Sequence, residues 1–316
     1  MATLSIQSMR EYLRKSISSL NDNKINGLNA EVEFRSYLSS LGYIDRVSPG
    51  GWIAREDGPK FGNHTAVFFP EAIDPKIDYD AVRKLPAPHT GLHTICSTFH
   101  QSGVSAFSCA AEVLKKNDPQ SLNWKAIQLG VPNPTNYQPF PSCLSGMFRP
   151  RIRKYKYLRY NATRVTGIPA NAVPDEFSKE HLRISFSDKF MSEIVDVDGI
   201  FWGKQYTYPI EIKEKTAAHN NKLGDYFGLD VGPFTKLAFY AAKKGNLKSL
   251  FVVREIDDVN TRHLLNWWFI EFEQLAQFAS WQPMGGGTNM SGGGSTVVMI
   301  PKKEFQILDK NTIGSL

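Results

Sequence analysis

Near the amino terminus the apolar residues Ile6, Met9, Tyr12, Leu13, Ile17 and Leu20 fall three or four positions apart, which predicts a helix over residues 5–20. A second helix is predicted over residues 28–41, with Gly42 as its C-terminal cap. Residues 47–88 mix Gly and Pro with short apolar bursts such as Thr65-Ala66-Val67-Phe68-Phe69 and give no firm element. Residues 103–116 read as a helix, Trp124 lies near the start of a short one, and residues 132–141 form a proline-punctuated connection. In the final third the period changes. Residues 194–202 and 206–215 alternate as two strands joined by a turn at Gly203-Lys204. An amphipathic helix over 234–244 carries Phe234, Leu237, Tyr240 and Ala241 on one side. Strands follow over 249–256 and 266–272, then a helix over 273–281 and a last strand over 296–300. Trp267-Trp268 runs on into apolar residues and belongs to the core. The glycines of 285–294 form a hairpin loop rather than a phosphate cradle, since they lack a GK[ST] ending and lead into a strand.

The order strand, strand, helix, strand, strand, with helices at the amino terminus, predicts an α/β (α+β) fold with a mixed central sheet flanked by helices. Residues 1–43 contribute helices to the core, 44–189 are a large insertion, and 190–316 carry most of the core.

One part of this sheet carries chemistry. In Ile194-Val195-Asp196-Val197-Asp198-Gly199 the two aspartates share a strand face, and in Pro209-Ile210-Glu211-Ile212-Lys213 so do Glu211, Lys213 and Lys215. Pairing through the Gly203 turn brings two carboxylates and an ammonium together. That set suits phosphodiester hydrolysis. Mg²⁺ takes hard oxygen ligands, here Asp198, Glu211 and the backbone carbonyl of Ile212, and Lys213 can orient water or neutralise the transition state. The same alternation also describes the solvated face of an ordinary amphipathic strand. Parity leaves Asp196 and Asp198 equivalent, and Gly199 favours Asp198 because it permits close approach. Glu31, Phe34, Leu38 and Leu41 lie on one helical stripe, so Glu31 is a further carboxylate on a core-facing side or at that stripe's exposed N-terminal end.

Taken as D-(x)12-E-x-K behind a helix bearing a Glu, these residues resemble the PD-(D/E)XK nuclease superfamily, most closely its type II restriction endonucleases. The resemblance covers residues 27–42 and 190–256, and Val197 replaces the Pro of the superfamily's name. It implies a restriction-endonuclease-like fold, Asp198, Glu211, Lys213 and Glu31 as catalytic residues, and Mg²⁺ as cofactor with Mn²⁺ as substitute. It also implies hydrolysis of double-stranded DNA to 5′-phosphate ends, commonly by a homodimer.

Composition changes this picture little. The chain has 37 Lys+Arg against 31 Asp+Glu, a net charge of +6 that permits a polyanionic partner without requiring one. The densest basic stretch is Arg149, Arg151, Arg153, Lys154, Lys156, Arg159 and Arg164, interleaved with Tyr155, Tyr157 and Tyr160, and is expected to contact DNA. Three cysteines with no CxxC pair, no apolar run of membrane length and no leader-like amino terminus lead to the expectation of a soluble, cytoplasmic protein. His93, Cys96, His100 and Cys109 are the rival constellation, a zinc site whose spacing is looser than that of structural zinc modules. Residues 222–230 are expected to loop near the candidate site. The leading expectation is a site-specific endonuclease, against a less specific repair, recombination or defence nuclease, a non-catalytic DNA-binding protein, and a zinc-stabilised interaction module.

Overall fold

The structure is a computed structural model describing residues 2–16, 22–56, 64–82, 84–133, 136–153, 167–243, 246–287 and 295–316. It is a mixed α+β protein whose described residues divide into two units: 2–16 with 49–197, and 22–48 with 198–316. The boundaries therefore fall beside Pro49 and Asp198, and the first helix, Ile6–Ser16, goes with the residues between them. No helix among the described residues is long and apolar enough to cross a membrane.

The first unit is built on a seven-stranded sheet in the spatial order Gln138–Pro139, Leu122–Gln128, Ser105–Val113, Thr65–Pro70, Gly51–Glu56, Phe190–Val197, Arg149–Pro150. Two of these strands correct the sequence reading. The segment 103–116 is a strand and not a helix, and Trp124 sits in another strand. Gly103, at φ +76°, is the end of the preceding helix Thr90–Gln101: its N–H donates to His100 O and the Val104 N–H to Phe99 O. Ser105–Val113 then lies between two neighbours and is buried on nearly every residue. Such a strand reads as a run of small and apolar residues, without the alternation that would reveal it.

Against this sheet lies the helix Val173–Lys189, buried along most of its length, with Ile6–Ser16 packed beside it through Tyr12. His181 is enclosed there by Tyr12, Phe177 and Trp124. The Trp124 Nε1–H donates to His181 Nδ1 at 2.9 Å, which fixes the ring as a neutral acceptor at that nitrogen.

The second unit holds a six-stranded sheet in the order Val47–Ser48, Gly199–Trp202, Thr207–Lys215, Leu250–Ile256, Leu264–Glu271, Gln306–Ile307, and a four-stranded one in the order Ala218–Asn220, Gly224–Asp230, Ser295–Pro301, Met284–Gly287. Thr207–Lys215 and Leu250–Ile256 run parallel, with the helix Val231–Ala241 in the chain between them, and the other pairings are antiparallel. The expected single strand over 194–202 is two strands, one in each unit, with Asp198 between them. Residues 224–230, expected as loop, form a strand whose Phe227 and Leu229 are fully buried. Its glycines and aspartates at the other positions masked that alternation. The glycine-rich hairpin is present in its flanking strands Met284–Gly287 and Ser295–Pro301, while 288–294 lie outside the described residues.

The helix Asp22–Ser40 covers one face of the six-stranded sheet, placing Ala30, Phe34 and Leu38 against Ile210, Ile212, Val252 and Trp267. Gly42, at φ +91°, ends it as expected, with the Tyr43 N–H on Leu38 O. Arg254 of the sheet locks the helix laterally by donating to Glu33 at 2.7 Å and to Glu214 at 2.8 Å.

Burial holds the His181 imidazole down to about pKa 4, against 6.5 in the unfolded chain. As pH falls through 6.5 the unfolded state takes up a proton first, so stability is complete above 6.5 and declines until about pH 4. The loss expected from this group is roughly 3 kcal/mol. Urea unfolding at pH 7 and pH 4.5 should show a smaller pH dependence in His181→Gln than in the native chain, and equal dependence would exclude His181 as the cause.

Candidate active site

Strand alternation divides the strand Thr207–Lys215 into two sets. Ile210 and Ile212 enter the core beneath the helix Asp22–Ser40, so Glu211, Lys213 and Lys215 face the other way, toward the helix Val231–Ala241. Glu211 is only 1% exposed, and a carboxylate so buried needs compensation. It has two cations. Lys213 Nζ is 2.6 Å from Glu211 Oε1, and Lys236 Nζ, from the helix Val231–Ala241, pairs with Oε2 as an ion pair without a directed hydrogen bond. Burial lowers the Lys215 ammonium's pKa, offset by nearby Asp230 and reinforced by Lys213.

Asp198 meets this pair at the edge of the sheet. Pairing between Gly199–Trp202 and Thr207–Lys215 ends at Gly199 opposite Ile210, so the next outward amide on that side, Ile212 N–H, has no strand to donate to. Asp198 Oδ2 accepts it at 2.8 Å. The N–H and C=O of one strand residue point the same way, so the Ile212 carbonyl is also turned toward Asp198. Asp198 Oδ1 faces Lys236 Nζ at 3.7 Å. From the opposite face, the helix Asp22–Ser40 presents Glu31, and one carboxylate oxygen of Glu31 lies within 4.8 Å of one of Asp198.

Glu31, Asp198, Glu211, Lys213 and the Ile212 carbonyl are thus gathered within the second unit. Their donors are hard oxygens, and buried Asp198 and half-buried Glu31 are close enough to serve one ion, so the residues fit a divalent cation such as Mg²⁺. Asp196 is exposed in the strand Phe190–Val197 of the first unit, paired opposite Trp52.

The other expected sites fare differently. Of the basic stretch, Arg149 and Arg153 are exposed and Arg151 donates from Nε to Ser187 O at 2.6 Å. Lys154, Lys156, Arg159 and Arg164 lie outside the described residues. His93 and His100 are exposed on their helix, whereas Cys96 and Cys109 are fully buried with thiol pKa values pushed up by that burial. Among the described residues, no three of these four bring ligand atoms together.

Lys236 was not anticipated. Its helix was predicted from Phe234, Leu237, Tyr240 and Ala241. Lys236, one residue before buried Leu237 and four before buried Tyr240, lies at the margin of that stripe. A lysine on that margin, in the first helix after an E-x-K strand, was the available signal. Comparison with protein-family models, with curated proteins and with solved structures gives no match.

The two roles of the Asp198 carboxylate, charge and acceptor, separate by substitution. Asp198→Asn keeps an acceptor for Ile212 N–H and Asp198→Ala does not, so the alanine variant should be less stable than the asparagine variant by about 1–3 kcal/mol. Denaturant unfolding of the two side by side tests this, and equal stabilities would remove the structural role of the bond.

Proposed function

We propose that the second unit is the catalytic core of a Mg²⁺-dependent nuclease of the PD-(D/E)XK type, acting on double-stranded DNA as a site-specific endonuclease of the type II restriction kind. The observation carrying this reading is the convergence of Asp198, Glu211 and Lys213, with Glu31 from the helix across the sheet. The chain order of the elements supports it: a helix bearing Glu31, Asp198 at the start of a strand, an antiparallel strand bearing Glu211-x-Lys213, a helix, and a strand parallel to the second.

In this reading Asp198, Glu211 and the Ile212 carbonyl hold the divalent cation, Mg²⁺ or Mn²⁺ in its place. Bound there, the cation supplies charge stabilisation at the scissile phosphate and a lower pKa for an attacking water. Lys213, held on Glu211 Oε1, orients that water or offsets the charge gathering on the phosphate. Glu31 completes the anionic side of the cluster. The products are 5′-phosphate ends. Arg149, Arg151, Arg153, Lys154, Lys156, Arg159 and Arg164 are assigned to DNA contact, and a homodimer is the assembly that would cut both strands.

Purified protein incubated with long, unmethylated double-stranded DNA should give discrete fragments with Mg²⁺ and none with EDTA. Lys213→Ala should slow cleavage by at least about a hundredfold while leaving DNA binding in place. A Mg²⁺-dependent smear would retain the nuclease and discard site specificity. No cleavage of several such DNAs, with binding intact, would replace the enzyme with a DNA-binding protein.

A further inference from the structure

Both oxygens of the Glu211 carboxylate are engaged by ammonium groups, and the two lysines are not equivalent. Lys213 reaches Oε1 from the same strand, two residues on. Lys236 reaches Oε2 from a helix and also faces Asp198 Oδ1 at 3.7 Å, so its charge sits between the two carboxylates that a divalent cation would join. Its side chain is only 10% exposed, and its helix is anchored by the fully buried Leu237 and Tyr240. This is a buried cation placed by the fold.

An ammonium and a divalent cation bonded to the same pair of oxygens would stand a few ångströms apart, where a partly buried environment screens their repulsion poorly. One must leave. Lysine suits that departure, because its ammonium is a point charge on a flexible four-carbon stem and can move without the helix moving. Lys213 can stay, since it is paired with Oε1 and Lys236 with Oε2.

We propose that Lys236 is a positioning residue, an internal cation that holds the Glu211–Asp198 pair in the metal-free protein and is displaced from it when a divalent cation binds. This rests on the cation-dependent reading of the site. It makes the protein's affinity for the cation a competition, weakened by its own lysine, and it holds the two buried carboxylates in place while no metal is present.

Calorimetric titration of Mn²⁺ into the full chain without nucleic acid tests it, using the native protein, Lys236→Met and Lys236→Arg. The methionine variant should bind Mn²⁺ at least about tenfold more tightly, having lost the competing charge. The arginine variant should bind no more tightly than the native chain. The rise in melting temperature on adding Mn²⁺ should also be largest for Lys236→Met. Equal or weaker binding by Lys236→Met, tightening by Lys236→Arg to match it, or no Mn²⁺ binding by any of the three would overturn the exchange. If Lys236→Met does not fold without metal, refolding at saturating Mn²⁺ supports the proposal and failure to refold there overturns it. Failure of the nuclease reading appears separately, as Mn²⁺ binding and lysine exchange without cleavage of DNA.

Discussion

The candidate site depends on one edge amide. Where the strand Gly199–Trp202 stops pairing, Ile212 N–H points out of the sheet, and Asp198 Oδ2 takes the place of the missing strand. A buried backbone donor without an acceptor costs about 1–3 kcal/mol, so the fold itself has reason to fix this carboxylate. Once Oδ2 is committed, the orientation of the second oxygen follows, and it is Oδ1 that faces Lys236. The Ile212 carbonyl is turned to the same edge by strand geometry. The Asp198 carboxylate is therefore held by the bond that continues where the pairing of Gly199–Trp202 ends.

Around that bond the two faces of the strand Thr207–Lys215 divide the work. Ile210 and Ile212 bury against the helix Asp22–Ser40 and so bring Glu31 to the edge. Glu211 and Lys213 point to the opposite helix and meet Lys236. Neither helix is free to slide: Arg254 ties the first through Glu33, and Ser249 Oγ donates to Leu237 O of the second at 3.0 Å. Burying Glu211 this deeply is costly unless the pairing is good, which is why cations on both its oxygens matter more than exposed ion pairs elsewhere, such as Lys15 with Glu11.

Much of this was legible because period two is a strong signal over Thr207–Lys215. Alternation alone assigned Glu211 and Lys213 to one face and the isoleucines to the core. Helical spacing did the same for Phe34 and Leu38, and put Glu31 beside them. Parity could not choose between Asp196 and Asp198, and it treats as one strand what the structure divides at Asp198. Gly199, which favoured Asp198, is the first residue of the strand after that break. Ser105–Val113 was misread for the converse reason. A strand covered on both faces has no polar phase, and only the cap at Gly103 distinguishes it from the helix before it. Lys236 stayed hidden because a charge at the edge of an apolar stripe is normally solvated, and only the partner strand shows that this one is not.

Chain connectivity adds a last constraint. The second unit's chain leaves its sheet after Ser48 and returns at Asp198, and Ser48 pairs with Ile200 in antiparallel register. The ends of this long excursion are thus held side by side, which is what allows a large segment to interrupt a sheet without disordering it. Asp198 is the first residue of the return. Gly199 and Ile200, the two residues after it, pair with Ile210 and with Ser48 and Pro209, and its side chain is held by Ile212 N–H, so the return strand and that one bond together set where the carboxylate lies.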